Sequence, residues 1–380
     1  MVRYTTRQLA ALLVILLASP AAAFDDTDLQ RMVALNQCEA CDLREARLAG
    51  ADLSRGALPG ADLRQADLRQ ADLSDARLPQ ARLAKADMSG ADLTGAVLGQ
   101  ADLRNAILAG ADMGFADLRG AELSNANLVS ARLVRAELGR ATLRRSDLTG
   151  ANLGKIEAID ADLSGATLIG ANLIRANLHK AFMGEADLTG AFMTEAVLSR
   201  ADLAGAVMVE ADLEQANLRG AFLNDVDFSQ ANLVDADLSG ADLSGAILYQ
   251  TRASGANLAR VTLSSASLSD ADLSGADLTG ALADASDMTA ALLVGATLTK
   301  ADLDGATLDR ADLTGATLRY ANLRGAKLAG ADLSGAVLRK ANLTKADLTG
   351  AKLEGADLTG AILCGTTLPS GEEENGGCRE

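Results

Sequence analysis

Four cysteines, a single histidine and a large set of carboxylates are the side chains of this 380-residue chain that could do chemistry. Cys38-Glu39-Ala40-Cys41 sets two thiols three residues apart, a spacing that suits a local disulfide, a dithiol redox pair or half of a zinc site. Cys364 and Cys378 stand near the other end, and four cysteines admit three connectivities. His179 is the only imidazole, so a Ser-His-Asp or Cys-His arrangement would have to be built on it. Asp and Ser are abundant, but they recur at fixed intervals rather than gathering into one site. Apart from that cysteine pair, no phosphate loop, dinucleotide fingerprint or metal-ligand spacing is present, and His179 reads as an ordinary outward side chain. These features point away from an enzyme, with no cofactor implied.

The elements that carry these residues follow from one register. From Cys41 onward Ala falls at nearly every position ending in 1 or 6, and Leu at nearly every position ending in 3 or 8. Ala61-Asp62-Leu63, Ala66-Asp67-Leu68 and Ala71-Asp72-Leu73 set the phase, which still holds at Ala351-Lys352-Leu353. A period of five fits neither the 3.6 of a helix nor the 2.0 of a strand. On a helix the leucines would wander around every side, so an ordinary helical core is excluded. Apolar residues make up 49% of the chain but aromatics only 2%, so burial must come from repetition of Ala and Leu rather than from varied, space-filling side chains. A unit that cannot bury its own apolar residues stacks on its neighbours.

The tandem Ala-(Asp/Asn)-Leu-x-x motif resembles the signature of the pentapeptide-repeat family, and the resemblance covers 41–368. It implies an all-β chain folded as a right-handed quadrilateral β-helix, four repeats to the coil, with Leu and the preceding Ala pointing inward. Leu43, Leu63, Leu83 and Leu103 would then form one stacked column. At a strand spacing of about 4.8 Å, roughly 16 coils would give a solenoid about 80 Å long. Each buried Leu would contribute about 1.5–3 kcal/mol before chain entropy is set against it. Gly90, Gly95 and Gly110 suit corner conformations. Ala158, Ala253 and Ala283 replace the inward Leu, Phe228 enlarges it, and Ile156, Val226, Thr251 and Val261 replace the inward Ala. All stay in register, so they are expected to alter packing rather than to insert loops.

An open solenoid end is an exposed edge, so both ends are expected to be covered. Residues 24–40 read as an N-terminal cap, with acidic N-cap candidates from Asp25 and with Leu29, Met32 and Val33 at helical spacing. Residues 369–380 read as a C-terminal tail. In an oxidising compartment the expected disulfides are Cys38–Cys41 and Cys364–Cys378, each pinning one terminus. A Cys-x-x-Cys at the start and a Cys-bounded tail also match what the resemblance implies for exported members. A redox-active pair is the alternative; zinc held by all four would need ends about 80 Å apart to meet. Ahead of the cap, Arg3 and Arg7, the apolar run Leu9 to Leu17 and Ala21-Ala22-Ala23 read as a signal peptide over 1–23. No second apolar stretch follows, so a periplasmic or secreted chain with no transmembrane segment after cleavage is expected.

The net charge of −16 argues against direct nucleic-acid binding through phosphates. Assigned to four faces at twenty-residue spacing, the charges are uneven. The face through Leu58, Leu98, Leu118 and Leu138 is net positive by four, and the other three are acidic. Arg140, Lys180, Arg200, Arg260, Lys300 and Lys340 share one corner position there, a candidate basic face for a protein or polyanion. The first reading is therefore an interaction scaffold of the bacterial envelope. The second, implied by the resemblance to cytosolic members that protect DNA gyrase, is an acidic nucleic-acid mimic. Asp52, Asp72, Asp92 and Asp112 would stack as like charges, and Phe182, Phe192 and Phe222 fall at outward positions.

Overall fold

The computed structural model describes residues 25–375 and Cys378. The predicted signal peptide, 1–23, lies outside the described residues. Two compact units make up the chain, Met1–Asp187 and Leu188–Glu380. Each is a coil that turns every five residues and returns above itself every twenty. The pairings Asp42↔Asp62, Asp62↔Arg82 and Arg82↔Asp102 in the first unit, and Asn217↔Asp237, Asp237↔Asn257 and Asn257↔Asp277 in the second, are all parallel.

Within one repeat the backbone bonds are few and regular. In 61–65 the Asp62 N–H donates to Cys41 O of the coil before, while the Leu63 and Gln65 N–H groups donate to Arg82 O and Ala84 O of the coil after. The N–H of the following Ala66 closes the turn onto Leu63 O at 3.1 Å. The second turn residue has positive φ, +60° at Gln65 and +65° at Gly90, as a type II turn requires. A turn every five residues leaves one ladder residue per side. The walls are therefore isolated bridges rather than extended strands. The inward Leu and Ala columns are almost wholly buried, Leu63 and Ala61 at 0% exposure. The irregular inward residues keep the register: Ala158, Ala253, Ala283, Phe228, Ile156, Val226, Thr251 and Val261 are all buried. The Thr251 hydroxyl donates to Phe228 O at 2.8 Å, so its polar group is satisfied inside the core.

Helix α1, Asp26–Leu35, precedes the first coil. The Asp25 side chain accepts from the Thr27 N–H at its N-terminus, and Asn36 ends it at φ 50°. Leu29 and Met32 are buried. Asn36 also ties the helix to the second coil: its O accepts the Ala57 N–H at 2.9 Å, and its Nδ2 donates to Ser54 O at 2.8 Å. This contact explains Gly56, which stands where the repeat calls for Ala. A Cβ there would lie 2.6 Å from Asn36 Oδ1 and 2.9 Å from Leu53 O.

At the far end β1, Thr366–Thr367, pairs antiparallel with β2, Glu373–Glu374, and Cys364 is bonded to Cys378. This hairpin caps only the backbone near Leu348 and Gly350, whose N–H groups donate to Thr367 O and Pro369 O. Leu353, Leu358 and Leu363 of the last coil remain half-buried. No helix among the described residues is long and apolar enough to cross a membrane.

Replacing Gly56 with Ala, the residue that the repeat pattern itself favours, is expected to destabilise the chain by about 1–3 kcal/mol through overpacking. The loss should fall on α1, read as lost amide exchange protection at Leu29–Asn36 in excess of that in the central coils.

Candidate interaction surface

Four of the five N–H groups in a repeat are taken by the turn and the coil ladder; the fifth belongs to the first turn residue. Where Asp or Asn stands two positions earlier, its side chain accepts this N–H. The Ser54, Ser74, Thr94 and Gly114 N–H groups donate to Asp52, Asp72, Asp92 and Asp112 Oδ1 at 2.9–3.2 Å. The expected column of like charges is thus a column of hydrogen-bonded carboxylates. Ser54 and Ser74 add their hydroxyls, and Arg132 pairs with Asp112 at 2.9 Å.

Where the first turn residue is Arg, it folds back on the same carboxylate. In Asp67-Leu68-Arg69, Nε donates to Oδ1 at 2.8 Å and Nη2 to Oδ2 at 2.7 Å. The same fork forms at Asp42–Arg44, Asp62–Arg64, Asp102–Arg104 and Asp117–Arg119. Bonds from Arg69, Arg104 and Arg119 hold the Asp67, Asp102 and Asp117 carboxyls below their ordinary range, against the opposing effect of burial. Lys352 and then Ser334 hold Asp332 down to about 2. These arginines are consumed by the lattice. A face-by-face count of charge misses this, although the tripeptide Asp-Leu-Arg is its sequence signal. Arg119 also lies 3.2 Å from Glu137, and Arg339 3.6 Å from Asp357.

The second turn residue behaves differently. Its positive φ turns the side chain outward at a corner, where it meets only the equivalent residues of neighbouring coils, as Arg55 meets Asp75 and Gln80 meets Gln100. Arg140 and Lys180 share one such column in the first unit, with Asp160 between them. Arg200, Arg260, Lys300 and Lys340 share one in the second unit. All six are exposed, and among the described residues none of them forms an ion pair. Lys340 sits over the Tyr320 ring at 5.5 Å. Beside Arg140, Gly120 and Gly139 leave a shallow hollow of about 380 Å³, bounded by Gln100, Arg119 and Asp160.

The other singled-out residues are dispersed. His179 is half-buried at a first turn position, its N–H donating to Asn177 Oδ1. Phe182 lies in the first unit, and in the second Phe192 and Phe222 occupy different sides of the coil, so no aromatic patch forms from the latter two. Cys38 is bonded to Cys41, both buried beside α1.

A repeat of this kind defines a class of stacked-coil proteins, and comparison places the chain within it. The family model described as Pentapeptide repeats (8 copies) matches in overlapping stretches from 41–84 to 326–368. The chain belongs to the pentapeptide-repeat family, whose members are right-handed β-helices. The two internal gaps in the match, 156–158 and 281–290, contain Ala158 and Ala283, where the inward Leu is lost. Among solved structures the chain is similar to HetL, a pentapeptide repeat protein involved in heterocyst differentiation regulation from the cyanobacterium Nostoc sp. The identity is 36%, over 63% of this chain and 92% of that one, with a TM-score of 0.28. It is also similar to full-length QnrB1, a plasmid-mediated fluoroquinolone resistance protein, at 23% identity over 51% of this chain and 90% of that one, with a TM-score of 0.27. No curated protein matches the sequence.

Because the forked carboxylates bind protons more weakly in the folded chain than in the unfolded one, their contribution to stability is complete above the ordinary carboxylate pKa. It is lost as pH falls through the depressed folded values. Replacing Arg69 with Gln should raise the Asp67 pKa toward the ordinary value in a carboxyl NMR titration. The urea midpoint should then drop slightly at pH 7, where the fork contributes in full, and the gap to the parent should close as pH falls through the depressed Asp67 range.

Proposed function

We propose that this protein is an exported, non-enzymatic interaction scaffold of the bacterial envelope, and that its corner cations dock an acidic protein or polyanion. The observation that carries this reading is the separation of two kinds of basic residue. Arginines in the Asp-Leu-Arg forks are neutralised where they stand. Arg140 and Lys180 in one unit, and Arg200, Arg260, Lys300 and Lys340 in the other, are exposed at a position the lattice leaves free. Each unit would hold its column on a hydrogen-bonded coil, so little conformational freedom is lost on docking.

Arg3, Arg7, the apolar run to Leu17 and the alanines at 21–23 support export, and the pairings Cys38–Cys41 and Cys364–Cys378 suit an oxidising compartment. In this reading the cap at 24–40 would cover the start of the solenoid, and the tail at 369–380 would be pinned by Cys364–Cys378. The recurring carboxylates are tied to turn N–H groups, which supports a non-catalytic reading. A second reading, an acidic nucleic-acid mimic acting on a DNA-processing enzyme such as gyrase, is favoured by one stretch. Residues 188–290 carry fifteen Asp or Glu against four Arg.

Fractionation of expressing cells, with the mature N-terminus read by mass spectrometry, separates the two. Envelope or medium location with Phe24 first is expected; a cytosolic chain that keeps Met1 would overturn export and favour mimicry. Replacing Arg260, Lys300 and Lys340 together by Glu should weaken retention on an immobilised sulfated polysaccharide about ten- to a hundredfold, from three surface contacts of roughly 0.5–1 kcal/mol each. Unchanged retention would remove the basic corner from the reading.

A further inference from the structure

Cys38 and Cys41 stand where the register elsewhere places the inward Leu and the inward Ala, so both sulfurs lie within the first coil at 1% exposure. Helix α1 brings a third donor to them. The Asp28 carbonyl lies 3.5 Å from Cys38 Sγ, and Asp28 Oδ2 accepts the Asp42 N–H at 3.0 Å. One carboxylate oxygen of Asp28 and the two sulfurs lie within 4.8 Å of one another, the one such group of donors among the described residues.

We propose that, when the Cys38–Cys41 disulfide is reduced, Asp28, Cys38 and Cys41 form a binding site for a divalent cation of the zinc class, with water in the fourth position. Two thiolates and a carboxylate suit zinc better than calcium or magnesium, which prefer oxygen donors alone. Cys-x-x-Cys is a spacing from which two sulfurs reach one tetrahedral ion. Ligand atoms around such an ion stand about 3.7 Å apart. Small side-chain rotations therefore suffice once the sulfur–sulfur bond opens. The Asp42 N–H orients the carboxylate, as outer hydrogen bonds orient metal ligands elsewhere.

The chemistry balances. A dithiol reductant delivers two electrons and two protons to the Cys38–Cys41 bond and itself becomes a disulfide. The cation then displaces the two thiol protons, which pass to solvent. The start of the solenoid would thus be clamped in both redox states. The bonded sulfurs clamp it when oxidised; when reduced, the cation ties α1 through Asp28 to the first coil. This inference is independent of the basic corner and of the partner that corner would dock.

The test is a cobalt(II) titration of the full mature chain after reduction with a phosphine, with far-UV circular dichroism to confirm that each form stays folded. One equivalent should bind, giving thiolate-to-cobalt charge-transfer absorption and the visible bands of a tetrahedral site, both displaced by zinc. The oxidised chain should show neither. A Cys364→Ser/Cys378→Ser variant should keep the signal and a Cys38→Ser/Cys41→Ser variant should lose it. Asp28→Asn retains both thiols, so it remains informative even if the serine variants fail to fold; it should weaken binding about 10–100-fold, the range for disturbed metal shells. The proposal is overturned by absence of the charge-transfer band in the folded reduced chain, by its survival without Cys38 and Cys41, or by unchanged affinity in Asp28→Asn.

Discussion

One backbone N–H in nearly every repeat, that of the first turn residue, has no carbonyl partner in the coil lattice, and much of the surface is shaped by satisfying it; Pro59 and Pro79 avoid the problem by carrying none. A buried or half-buried amide left without an acceptor costs about 1–3 kcal/mol, and a coil of four repeats would carry that penalty four times. Where Asp or Asn stands two residues earlier it supplies the acceptor, as Asp62 does for Arg64 and Asn172 for Ile174. A carboxylate at this place then biases the choice of the first turn residue itself. Ser and Thr add a hydroxyl bond, and Arg adds a two-point fork. The acidity of the chain is therefore first a property of its turns. It is weak evidence for any partner, because many of the carboxylates have a structural use.

Cations report function better in this fold for the same reason. The first turn position holds its side chain against the wall, whereas the second, at positive φ, directs it away. Non-glycine residues adopt that left-handed conformation at Arg140, Lys180, Arg260 and Lys300 among many others. Each costs roughly 1–2 kcal/mol relative to the ordinary backbone region, offset by the ladder bonds on both sides of the corner. Glycine would avoid this strain and stands at many equivalent positions, as at Gly220 and Gly240 in the same column. A cation held there in spite of the strain, and without an ion pair, is thus the kind of residue for which the fold itself has no need.

Legibility in the sequence divides along the same line. The inward columns were readable because volume and polarity constrain them at once. Leu at every fifth position with Ala two before it is compatible with hardly any backbone except a stacked coil, and even Phe228 and Thr251 hold the register. The second turn position of each corner cation, as at Arg140 and Arg260, was readable from the same arithmetic. The neutralisation of Arg69 or Arg104 was not, because it depends on where a turn aims a side chain rather than on which face the residue occupies. Gly56 was equally opaque: its reason lies in Asn36, twenty residues earlier, and emerges only when the helix end meets the second coil. The spacing of Cys38 and Cys41 left a disulfide and a redox pair both open, and the carboxylate that approaches them comes from α1.

The two ends show what a periodic sequence cannot encode by repetition. A coil in the middle of the ladder has neighbours that answer its N–H groups on both sides, so one rule serves every repeat. A terminal coil lacks one neighbour, and its solution must be written in residues that break the pattern. At the start α1 stands beside the ladder, with Leu29 and Met32 buried and Asn36 bonded to Ser54 and Ala57. At the finish a short hairpin answers the Leu348 and Gly350 amides, whereas Leu353 and Leu358 stay half-buried. Chemistry beyond packing collects at such breaks, because the repeat register excludes unusual residues elsewhere. All four cysteines lie at them.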